Sequence, residues 1–218
     1  MKRSASLPVV QKKILGCLAA LQFATSNQLA RLSESQPSHV STALKSLLNS
    51  GLIDGSLHTR PMVVHLTPAG ARVLGVPLPA GRRRASWSVM AHACHRNEAA
   101  RALSEQHPGF RFLSHVELWK QGFNPGHGEH AAVDAAGCAW FVLLDDYMMS
   151  SDRISRAWTR RHTPNRKYWP DETGRMWRDV VQRFLIVCTD DDHAKRHADW
   201  ISKERLPADL LVIGALWK

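Results

Sequence analysis

The chain holds 218 residues, with 29 Lys+Arg against 19 Asp+Glu, a formal charge of +10 and a pI near 10.0. Hydrophobic residues make up 44% and charged residues 22%, an ordinary globular usage that excludes general disorder and leaves room for one or two domains. The longest apolar runs, 139–144 and 210–217, fall far short of the roughly 20 residues that cross a bilayer, and Met-Lys-Arg-Ser-Ala-Ser-Leu-Pro lacks the apolar core of a secretory leader. Membrane, secreted and collagen-like chains are therefore not expected.

Cys17, Cys94, Cys138 and Cys188 form no CxxC pair, a pattern that suits free thiols in a reducing cytoplasm. A basic chain attracts polyanions, because each phosphate contact by Lys or Arg releases condensed counterions. The charge is unevenly spread. Residues 1–80 carry eight Lys+Arg and only Glu34 and Asp54 as acids, a net of +6, whereas residues 81–218 carry a net of +4. Two compositions suggest two domains: 1–77 and 87–218. Between them lies a linker, 78–86, drawn from the Pro-, Gly- and Arg-rich stretch 75–84 with its triplet Arg82, Arg83 and Arg84.

In chain order, Val10, Ile14, Leu15, Leu18 and Leu21 recur with helical rhythm, which predicts a helix over 9–23. Thr25 or Ser26 can cap a short second helix, 27–32. Pro37 and Ser38 open a third with Val40, Leu44, Leu47 and Leu48 on one face, and Gly51 stops it. Three short helices with a tight second turn make a helix-turn-helix. Strands over 52–55 and 62–66 follow as a wing, and Thr67-Pro68 starts a closing helix. "SHVSTALKSLLNSGLI" and "VHLTPAGARVLG" resemble bacterial winged-helix DNA-binding domains.

The resemblance makes the third helix the reader of a major groove. Ser38, His39, Ser41, Thr42, Lys45 and Ser46 would contact bases and phosphates, and no carboxylate occurs from Gln36 to Asn49. Lys12 and Lys13 would hold flanking phosphates, and Arg60 would reach backbone or minor groove from the wing.

Beyond the linker the pattern predicts a helix over 87–106, a strand over 110–118 bearing Glu117, and a hairpin of 131–135 and 138–145 turning at Ala136-Gly137. Helices over 152–161 and 174–183, a strand over 184–188, a helix over 191–203 and a strand over 210–216 complete it. This order predicts a mixed sheet flanked by helices, an α+β or α/β domain. Arg153, Arg156 and Arg160 share a helical face, with Trp158, Tyr168 and Trp169 interleaved nearby; this suits a second phosphate-contacting surface. His92, Cys94 and His95, and likewise His127, Glu129 and His130, lack the spacing of a zinc site.

The winged helix with "LTPAG", the helix of "HACHRNEAARAL" and the hairpin "AAVDAAGCAWFVLLDD" together resemble the replication-relaxation family of mobile-element proteins. The element order of the second domain also resembles the restriction-endonuclease-like fold. Such a likeness implies carboxylates that bind Mg²⁺ or Mn²⁺ and activate water beside a scissile phosphate. It would make Asp134 and Asp145 metal ligands, with Glu117 assisting and Tyr147 as a nucleophile. Tyr147 or Met148 stands where that fold carries a lysine, and Leu143 stands for a carboxylate. These departures favour a nuclease-like fold without catalysis or cofactor, kept for dimerisation or DNA wrapping. The resulting expectation is a sequence-specific, homodimeric binder of double-stranded DNA. It would regulate transcription or organise an origin on a bacterial mobile element, with mobilisation or replication proteins as possible partners and no membrane. The alternative is a metal-dependent relaxase or nuclease that nicks DNA during plasmid mobilisation.

Overall fold

A computed structural model describes residues 7–56, 60–76, 86–113, 117, 129–146, 183–204, 208–214 and 216–217. Two compact units divide the chain, 1–97 with Trp217 and 98–216 with Lys218. The division runs through the helix Trp87–Gln106, and residues 78–85 of the expected linker 78–86 lie outside the described residues.

The first unit is a winged helix. Helices α1 (Val9–Leu21), α2 (Ser26–Leu32) and α3 (Pro37–Asn49) precede a three-stranded antiparallel sheet. In it β3 (Val63–Leu66) lies between β1 (Phe23–Thr25) and β2 (Ile53–Ser56). The core joins Ile14, Leu15 and Leu18 of α1, Leu29 of α2 and Val40, Ala43, Leu44 and Leu47 of α3 to Ile53, Val64 and Leu66 of the sheet. Each fully buried Leu or Ile contributes about 1.5–3 kcal/mol relative to exposure. The predicted first helix was too long: it ends at Leu21, and Phe23 opens β1, in register with His65. Ala43, not Leu48, completes the buried face of α3; Leu48 is half-buried.

Two polar devices hold these elements. At the start of α2, Thr25 Oγ1 accepts from Gln28 N (3.1 Å) and Gln28 Oε1 accepts from Thr25 N (2.9 Å), a reciprocal capping box. Gln28 Nε2 also donates to Cys94 O at 2.8 Å, and Asn97 Nδ2 donates to Phe23 O at 2.8 Å. Both partners lie on α5 (Trp87–Gln106), so its first half is part of the winged-helix unit. At the other end, the Thr67 hydroxyl donates to Gly51 O (2.6 Å) and accepts from Gly70 N (3.1 Å), capping α4 (Pro68–Leu74). Any side chain at Gly70 would run into the Leu52 carbonyl. The Thr-Pro-Ala-Gly stretch is thus the clasp that closes the wing onto α4.

The second unit is built on a mixed five-stranded sheet in the order β4 (Arg111–Phe112), β5 (Glu129–Val133), β6 (Ala139–Asp145), β7 (Arg183–Cys188), β8 (Ala208–Val212). β4, β5 and β6 are antiparallel, and β6, β7 and β8 run parallel. One face carries Phe141, Leu143, Phe184 and Ile186 under Ala194, Trp200 and Ile201 of α6 (Asp191–Glu204). The other carries Trp140, Val142, Leu144, Leu185 and Val187 against Ala99 and Leu103 of α5. A strand buried on both faces reads as a continuous apolar run, as "AWFVLLD" and "RFLIVC" do. Of the expected strand 110–118, Arg111–Phe112 pair with β5 and Glu117 is helical, while residues 114–116 and 118 lie outside the described residues. The expected helices 152–161 and 174–183 lie outside the described residues except for Arg183, which opens β7.

Candidate nucleic-acid interface

Helix α3 is amphipathic in the sense a groove-reading helix requires. Val40, Ala43, Leu44 and Leu47 are buried, whereas Ser38, His39, Ser41, Thr42, Lys45, Ser46 and Asn49 are all exposed. Ser38, Thr42, Lys45 and Asn49 recur at intervals of four, three and four residues. That spacing forms one line along the helix, opposite the buried face. No carboxylate stands on α3; the nearest, Glu34, lies in the preceding turn.

Hydrogen bonds separate these side chains into two groups. Thr42 Oγ1 donates to Ser38 O at 3.1 Å, back to its own helix. Ser46 Oγ accepts from Gln11 Nε2 of α1 at 3.1 Å, so its hydroxyl faces a neighbouring helix. Lys12 and Lys13 are both exposed on α1, but Lys13 Nζ donates to Ser33 O at 3.2 Å and stitches α1 to the turn before α3. Arg60 is exposed beside the wing, whose tip, 57–59, is outside the described residues. So are Arg82, Arg83, Arg84, Arg153, Arg156, Arg160 and Tyr147. Asn49 was missed in the sequence, although its spacing from Lys45 places it on the outward line.

Asp134 and Asp145 of the second unit do not converge. Asp134 sits in the β5–β6 turn, where its Oδ1 accepts from Cys138 N (2.9 Å) and Ala136 N (3.0 Å) and its Oδ2 from Trp140 Nε1 (3.2 Å). The Cys138 amide, aided by the indole and the Ala136 amide, holds the Asp134 carboxyl below its ordinary range. Gly137, at φ 76°, completes that turn. Asp145 stands at the far end of β6, about 20 Å away at 3.4 Å per strand residue. By register, Glu129 pairs with Leu143, so it is the start of β5, not Asp134, that neighbours the Asp145 end. Glu117 pairs with Arg111 at 2.8 Å.

Asp145 is fully buried, and its Oδ2 lies 2.7 Å from Nε2 of His197, itself buried on α6. Beside them the buried Cys188 thiol is pushed up to about 12 by burial, then by Asp145 and Asp190, and stays protonated at neutral pH. At the start of α6, Asp190 accepts from His193 N (2.8 Å) and pairs with His193 Nδ1 (2.7 Å). The Asp145–His197 pair was also missed in the sequence. Its signal was a histidine in the stripe Ala194, His197, Ile201, where an inward helix face calls for an apolar residue. Asp134 and Asp145 thus stand apart, each engaged by other groups, although the nuclease-like alternative would have them share a metal. Among the described residues no three His, Cys, Asp or Glu side chains converge as a metal site.

No helix among the described residues is long and apolar enough to cross a membrane. No curated protein matches the chain. Among solved structures, it is similar to a MarR family transcriptional regulator from Silicibacter pomeroyi DSS, at 32% identity and TM-score 0.31 over 33% of this chain and 48% of that one. It is also similar to Lactococcus lactis ZitR in complex with DNA, at 28% identity and TM-score 0.30 over 34% of this chain and 52% of that one. The chain thus spans about half the length of these structures. Residues 15–174 match the family described as Replication-relaxation, well over half of the 218 residues and across both units, and the chain belongs to that family.

Proposed function

We propose that this protein binds a specific double-stranded DNA site through its winged helix. In this reading it regulates transcription, or serves as an origin-binding accessory factor, on a bacterial mobile element. The observation that carries the reading is the outward face of α3, exposed along its whole length and free of carboxylates. Lys12 on α1 and Arg60 beside the wing supply cations on the same unit, suited to phosphates that fix register while α3 meets base edges. A homodimer would place two such helices on related half-sites, as symmetric DNA readers do; mobilisation or replication proteins are its proposed partners.

The second unit enters this proposal as a nuclease-like scaffold without catalysis. A divalent metal held by Asp134 and Asp145 does not fit the residues present. One carboxylate is engaged by turn amides, the other is buried against His197, and the length of β6 separates them. The test is to retain genomic fragments on the purified protein, sequence them, and assay the same fragments for nicks with Mg²⁺ or Mn²⁺. Retention of a defined site without cleavage is expected. A site-specific nick that survives Asp134→Ala and Asp145→Ala would show catalysis elsewhere in the chain; failure to retain any site would remove the DNA reading.

A further inference from the structure

We infer that sequence preference resides in the outward line of α3 at Thr42, Lys45 and Asn49, with Asn49 reading an adenine and Thr42 a thymine methyl, whereas Ser46 and Lys13 serve the architecture. This inference rests on the proposed DNA-binding reading. It starts from what each exposed side chain is already doing. The Ser46 hydroxyl accepts the Gln11 amide, and the Lys13 ammonium holds the Ser33 carbonyl. Both are turned toward other elements of the winged helix. Thr42 commits its hydroxyl proton to Ser38 O, which leaves its methyl as the group presented outward.

Asn49 is the one amide on the line, and it is exposed at the last position of α3. A carboxamide offers a donor and an acceptor side by side, the pair that matches N7 and N6 of adenine in the major groove. Lys45 lies between Thr42 and Asn49 and offers donors alone, which suit O6 and N7 of guanine or a phosphate. At about 1.5 Å of rise per residue, Thr42, Lys45 and Asn49 span roughly 10 Å of helix, enough to meet about three successive base pairs of 3.4 Å spacing. The ligand is thus a half-site in which a T·A and an A·T pair flank the position beneath Lys45.

The experiment selects preferred duplexes from a randomised pool with the full chain, then measures affinity and salt dependence for variants on the selected duplex and its single-position substitutions. Asn49→Ala is expected to weaken the preferred duplex about tenfold and to erase discrimination at one A·T position, with an unchanged salt slope because no phosphate contact is lost. Thr42→Ser, which keeps the bond to Ser38 and removes only the methyl, is expected to relax one T·A position. Ser46→Ala should leave every preference in place. If the wild type selects a sequence and Asn49→Ala retains that preference at every position, the inference is overturned and DNA binding stands. A wild type with no sequence preference would overturn the inference and remove sequence-specific reading from the proposed function; no DNA binding at all would remove the function itself.

Discussion

The two units treat polar side chains in opposite ways. Along α3 they point outward, unaccompanied by acids, and only Thr42 and Ser46 are tied back to protein. In the second unit the chemically suggestive residues are paired within the protein: Asp134 with turn amides and an indole, Asp145 with His197, Asp190 with His193. Residue types that look catalytic in a list can be consumed by architecture. Short hydroxyls and amides that look unremarkable can be the ones facing a partner.

The sharpest way to break this comparison is His197→Ala. Taking a buried polar partner away from the buried Asp145 costs several kcal/mol, on the order of 3–5 when the carboxylate keeps its charge, so urea unfolding followed by fluorescence should show the second unit much weakened; a loss below about 1 kcal/mol would show that the pair is not structural. Gly70→Ala should cost about 1–3 kcal/mol in the first unit, since the new methyl meets the Leu52 carbonyl and α4 must shift. An unchanged melting temperature would contradict the clasp. Lys45→Ala should weaken DNA binding by about 1 kcal/mol or more, and should also flatten the salt slope by about one if its contact is a phosphate. Unchanged affinity at moderate salt would remove Lys45 from the interface.

The smallest expected effect concerns Asp134. Its carboxyl is depressed below the ordinary value of 3.8, so its contribution to the turn is present above that value and is lost as pH falls through the lower, folded value. Carbon-detected NMR titration should place Asp134 below the other exposed carboxylates. A midpoint at or above 3.8 would mean that the turn amides do not engage it.

Much of the first unit was legible because its helices carry clean periodicity and chemical caps: Thr25, Pro37 and Thr67-Pro68 mark starts that the structure keeps. β1 was not, because three residues leave no alternation to read; it is a strand only because β3 pairs with it. In the second unit the apolar runs of β6 and β7 announced buried strands. The alternating stretch 110–118 misled, since alternation records a tendency and only pairing makes a ladder. The candidate site divided the same way. Exposure of α3 followed from periodicity, but the Gln11–Ser46 and Lys13–Ser33 bonds join residues 35 and 20 positions apart, and no local pattern encodes them. Asp134 stood open between a catalytic alternative and a scaffold, because a hairpin aspartate and a turn-capping aspartate look alike until the turn amides are placed.

The bond from Gln28 to α5 has a practical consequence for anyone dividing this protein. A fragment cut at residue 77, where composition changes, would strip the Cys94 carbonyl from a buried amide and the Asn97 amide from the Phe23 carbonyl. A fragment carried through Asn97 keeps both. The capping box is just as particular: glutamate, which can close such a box equally well, would turn a second acceptor toward the Cys94 carbonyl, so at this position the amide and the acid are not interchangeable.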